Sequence, residues 1–155
     1  MSEHPSTKPE PSPSAWQACL FIPLRLPTPN QLLRMHWATR RRLNRTFASA
    51  VWAAMAQARI RRPDAPLPYA IVVVERHSST EPDPDALPGC AKPLLDALQP
   101  ASKRHPYGLG LIANDDARSI ALTVLHVPCK RLVTLTRLTI TAGSPPTAAG
   151  GGASP

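Results

Sequence analysis

The chain has 155 residues, 18 Lys and Arg against 10 Asp and Glu, a formal net charge of +8, and 3 cysteines. That length suits one ordinary domain and is short for two. An odd cysteine count with no CxxC pair argues against a disulfide framework and for a reduced, cytoplasmic chain. The apolar run at residues 18–24 is too short for a membrane span and lacks the flanks of a signal peptide, so no membrane association is expected.

Residues 1–15 are rich in Pro and Ser, and residues 143–155 in Gly, Ala and Pro. Neither stretch holds enough apolar surface to offset its ordering entropy, so both are expected to be disordered tails around a folded domain at 16–142. Residues 18–26 place Ala18, Leu20, Ile22, Leu24 and Leu26 on one face at period two, which predicts a strand ended by Pro27 and Pro29 in a turn. Residues 40–61 carry Phe47, Val51, Met55 and Ala58 at helical spacing among alanines, stopped by Pro63. Phe47 and Trp52 read as core, and His36 with Trp37 reads as a pair at the core edge. AIVVVE at 70–75 predicts a strand buried on both faces. Residues 87–98 predict a helix that Pro93 either kinks or begins. Residues 119–127 and 131–141 predict two strands joined as an antiparallel hairpin, with Leu132, Thr134, Thr136, Leu138 and Ile140 sharing a face. The expected fold is α+β: a single domain, a four-stranded mixed β-sheet and two main helices packed on it.

The charge is not spread evenly. Arg34, Arg40, Arg41, Arg42, Arg45, Arg59, Arg61 and Arg62 fall in one stretch free of acids, while seven of the ten acids lie between Glu75 and Asp116. A basic segment followed by an acidic one fits a protein that grips phosphates with one part and holds cations with another. Asp83 and Asp85 are two apart beside Pro82 and Pro84, which favour an extended backbone and put both carboxylates on one face. Asp115 and Asp116 stand at the start of a strand. If the two pairs converge, hard oxygen donors suit Mg²⁺, with Mn²⁺ able to substitute. The same aspartates are also ordinary turn residues. There is no GxxxxGK[ST] and no GxSxG, so a nucleotide cofactor and serine-hydrolase chemistry have no support.

DPDALPGCAKPLLDAL followed by GLGLIANDDARSIAL resembles the RusA-type Holliday-junction resolvases and their phage relatives, in which D-x-D-N-L leads into a lysine-bearing helix with D-A-L, and a glycine loop into a D-D pair. PTPNQLLRMHW is similar to the family's early P-x-x-N segment, and the likeness spans residues 21–140. It implies a homodimeric, Mg²⁺-dependent endonuclease that nicks branched DNA in recombination or repair. By that likeness Asp83, Asp85 and Asp116 are metal ligands, Asp115 an auxiliary ligand and Lys92 a partner of the scissile phosphate. Asn30, Arg34, His36, Arg40, Arg41, Arg42 and Arg45 would contact DNA. The chain departs from the family pattern at Ala86, where Asn is usual, and between Asp85 and Lys92, which is longer than in the shortest members. The alternative is a non-catalytic, basic DNA-binding protein on the same scaffold.

Overall fold

The computed structural model describes residues 15–131 and 133–147. Most of both expected tails, and Leu132 of the predicted last strand, lie outside the described residues; residues 143–147 carry no regular element.

The first strand, β1 (Gln17–Ile22), keeps its period-two pattern, with Ala18, Leu20 and Ile22 buried. It ends four residues before the expected boundary because Pro23 has no N–H to continue a ladder. The predicted turn after it holds a short helix instead, α1 (Pro29–Arg34). Thr28 and Gln31 exchange side-chain and backbone hydrogen bonds in a capping box, and Pro29 opens the first turn. The long helix α2 (Trp37–Gln57) buries Phe47, Val51 and Met55, as its spacing requires. Ala58 sits beyond its end and is exposed. The helix stops there because Arg59 takes a left-handed φ of 54°, the Ile60 N–H donates to the Met55 carbonyl at 2.9 Å and the Arg59 N–H to that of Ala56 at 3.2 Å. This is a Schellman closure with arginine where glycine is usual.

β2 (Ala70–Ser78) runs longer than AIVVVE, and only one of its faces is closed: Ala70, Val72 and Val74 are buried, while Ile71 is 46% exposed. The predicted helix at 87–98 is broken into α3 (Leu87–Cys90) and α4 (Lys92–Leu98), with Pro93 buried in the first turn of the second piece. β3 (Ile120–Pro128) and β4 (Leu135–Ala142) complete the sheet.

The expected β3–β4 hairpin does not form. The sheet order is β1-β4-β2-β3. β4 pairs antiparallel with both β1 and β2, and β3 pairs parallel with the outer side of β2. The cause lies in which strands can be covered. β4 alternates the fully buried Thr136, Leu138 and Ile140 and so suits an interior position. β3 buries only Ile120, at 5% exposure, and suits an edge. The architecture is thus a single α+β domain with a four-stranded mixed sheet. Its core is the layer between the buried sheet face and helices α2 and α4, where Phe47, Met55, Leu94 and Leu98 meet Leu20, Val72 and Leu138. Each such side chain contributes about 1.5–3 kcal/mol by leaving water. No helix among the described residues is long and apolar enough to cross a membrane.

Candidate nucleic-acid interface and acidic site

Parallel pairing of β2 and β3 fixes where the two acidic segments start out. Ala70 lies beside Ile120 and Ser78 beside Pro128, so the chain leaves β2 at one end of the sheet and begins β3 at the other. Eight residue steps separate those ends, about 26 Å along a strand. Asp83 and Asp85 follow the exit of β2, and Asp115 and Asp116 precede the start of β3. The helical run α3–α4 carries the chain back, and α4 is the element whose side chains reach Asp115.

Lys92, at the start of α4, is held between two carboxylates. Its Nζ lies 2.8 Å from Asp96 Oδ1 and 2.5 Å from Asp115 Oδ2. Burial works against its charge, but the hydrogen bonds and charges of Asp115 and Asp96 outweigh it, and the Lys92 pKa is raised. His105 Nδ1 stands 3.8 Å from the same Asp96 oxygen.

Asp116 is occupied locally. Its Oδ1 accepts the Arg118 N–H and its Oδ2 the Asn114 side-chain amide, both at 3.1 Å. Its carbonyl accepts from Ser119 and Ile120. These bonds close the turn into β3. Asp83 and Asp85 do not share a face of an extended segment, as the flanking prolines suggested. Asp85 lies within a 3₁₀ turn, Pro84–Ala86, and Asp83 precedes it with its carbonyl accepting the Ala86 N–H at 2.9 Å. Pro84 fits the first position of such a turn, and three residues per turn swing alternate side chains apart. Both aspartates are exposed.

The donor chemistry of Asp83, Asp85, Asp115 and Asp116 suits a hard divalent cation. Their arrangement does not make an assembled site: among the described residues no three His, Cys, Asp or Glu side chains gather as a metal-holding group. The expected convergence of Asp83, Asp85 and Asp116, with Lys92 facing them, is therefore absent from this arrangement. Two local features contribute: the 3₁₀ turn that separates Asp83 from Asp85 and the turn that engages Asp116. No match to any protein-family model was found, and no curated protein matches the chain.

The basic residues do meet the acidic ones. A groove of about 700 Å³ runs between the α1–α2 corner and α4, with Arg40 on one wall, Lys92, Asp96 and Asp115 on the other, and Arg104 and His105 closing its end. Arg34, Arg41 and Arg42 are exposed and make no ion pair among the described residues. Arg40 donates to the Leu32 carbonyl and braces α1 against α2. Arg45 lies over the Tyr107 ring, 5.7 Å from its centroid. Asn30 is exposed in the first turn of α1.

His36 and Trp37 are not a core-edge pair. Both are exposed; His36 caps α2 by accepting the Ala38 N–H on Nδ1, and its ring stands 5.4 Å from that of Trp37. Trp52 is likewise 53% exposed, with Arg62 over its ring. Asp96, Lys103, Arg104 and His105 were not foreseen as site residues. Only the i,i+4 spacing of Lys92 and Asp96 signalled any of them.

Proposed function

We propose that the chain is a structure-selective DNA endonuclease of the RusA type, acting as a cytoplasmic homodimer that nicks branched DNA such as Holliday junctions in recombination or repair. The observation that supports this most is the groove in which Arg40 of α2 and Arg104 share one surface with the Lys92–Asp115 group. A phosphodiester backbone lying along it would meet cations on one wall and carboxylates on the other. Arg34, Arg41 and Arg42 then hold phosphates, and Lys92 offers a charge to the phosphate under attack. Asp83, Asp85, Asp115 and Asp116 have the donor chemistry for Mg²⁺ but are not gathered as they stand, so holding the ion would require Asp83 and Asp85 to be brought to the Asp115–Asp116 turn; a bound ion would supply an activated water and charge neutralisation.

A second reading has its own observation. The three principal carboxylates are not gathered and Asp116 serves a turn, which suits a basic DNA-binding protein without catalysis. Cleavage of a labelled four-way junction against linear duplex, with Mg²⁺ and with chelator, separates the two. The endonuclease nicks the junction only with Mg²⁺, and Asp85→Asn abolishes nicking while binding persists. Tight junction binding with no nicking in Mg²⁺ or Mn²⁺ would leave the binding protein as the answer.

A further inference from the structure

Beside the groove, the loop at residues 100–109 packs against the start of α2 and leaves a cleft of about 220 Å³. This is below the roughly 300–1,000 Å³ of pockets that enclose a whole small molecule, so it suits one part of a larger ligand. Trp37, the first residue of α2, stands on its rim, 69% exposed, and Leu33 near the end of α1 is 78% exposed. Trp37 thus offers an exposed aromatic face at the mouth of the cleft. Arg40, Arg41, Lys103 and Arg104 line the same cleft, and none of them is paired with a carboxylate among the described residues. Asn44 also lines it, and its side-chain oxygen is buried with no hydrogen-bond partner. A buried acceptor of this kind is costly unless a donor reaches it. Asp96 contributes the one carboxylate of the lining, and it is already paired with Lys92.

We propose that this cleft binds one unpaired nucleotide of a DNA strand. The base stacks on the free face of Trp37, whose other neighbour is the tilted His36 ring. Its backbone phosphate lies among Arg41, Lys103 and Arg104, and an N–H on the base edge supplies the donor that Asn44 lacks. An aromatic face interleaved with cations is how proteins hold single strands, because every base has a π-face whatever its sequence. The choice of DNA rests on the function proposed above. The site gives that function a physical basis for preferring branch points, where bases are unstacked, over uninterrupted duplex.

The test compares the wild type, Trp37→Ala and Trp37→Phe for binding to a short oligothymidylate, a duplex of equal length and an oligouridylate. Because Trp37 is exposed, both variants are expected to fold, and their circular dichroism and melting should match the wild type. Trp37→Ala should bind oligothymidylate roughly five- to hundredfold more weakly. Trp37→Phe should recover most of the loss, and duplex affinity should stay within about twofold. An equal loss on duplex and single strand, no loss in Trp37→Ala, or no single-strand binding by the wild type would overturn the proposal. Stronger Trp37-dependent binding to oligouridylate would overturn the assignment to DNA. Trp37-dependent binding by a protein that nicks nothing would support the cleft while removing the endonuclease.

Discussion

Lys92 is shared by two carboxylates on different segments, Asp96 in its own helix and Asp115 in the loop before β3. Its side chain is 48% exposed, so solvent screens the pairing, and the contribution to stability is expected to be under about 1 kcal/mol. The pH dependence follows from the raised pKa. A lysine whose folded pKa exceeds its ordinary 10.5 gives its full stabilisation below that value and loses it as pH rises through the folded pKa. Thermal melts of the wild type and Lys92→Met should therefore differ by a constant small interval at neutral pH. That interval should close above pH 10.5, and an interval that widens there would contradict the pairing. Arg76 is the opposite case: 4% exposed, with no carboxylate partner among the described residues. It donates to the Leu26 carbonyl at 3.0 Å and to Ser78 Oγ, tying the loop before α1 to the end of β2. Burial pushes its pKa down, with Cys90 opposing and Arg25 adding to the shift.

Among the elements, the loop after α4 depends most on one residue. A Cβ on Gly108 would overlap the Gln99 carbonyl and the Pro100 backbone, and neither can step aside as a flexible side chain does. Gly108→Ala should cost about 1–3 kcal/mol in urea unfolding and loosen the cleft that this loop lines. An unchanged midpoint would show that the loop can move away. The same scale shows what was readable in advance. The buried stripes of β1 and α2 were, because Leu20, Ile22, Phe47 and Val51 repeat at the periods of their elements. The end of α2 was not, since arginine carries no signal for a left-handed turn. The partner of β4 was not either: period two identifies a face, and nothing local distinguishes β3 from β2 as a neighbour. At the site, residue types were legible and their meeting was not. Arg40 and Asp115, from the Arg-rich and Asp-rich segments, line one groove, yet Asp83, Asp85 and Asp116 do not gather as a metal-holding group among the described residues.

The chain carries a surplus of +8, and Arg40, Arg41, Lys103 and Arg104 line the cleft, with Arg34 and Arg42 exposed on the neighbouring helices α1 and α2. A backbone lying across them displaces counterions, and the logarithm of affinity should fall with the logarithm of salt by about 0.9 per phosphate contacted. Four such contacts give a slope near −4, on the order of two hundredfold between about 50 and 200 mM salt. Replacing Arg41 and Arg42 together by Ala should reduce the magnitude of the slope by about two, measured by fluorescence anisotropy on duplex DNA. A slope that does not change would move the backbone off this face.

The position of β4 has a consequence for how the molecule comes into being. Among the described residues β1 has β4 as its only neighbour, and more than a hundred residues separate the two in sequence. While the polypeptide is being synthesised, the first strand therefore emerges with nothing to pair with, and its unsatisfied backbone waits for more than a hundred further residues. The β2–β3 pair can form without β4, but the sheet is complete only when β4 enters between β1 and β2, and pairing between strands so far apart in sequence is slow and leaves apolar surface exposed in the interval.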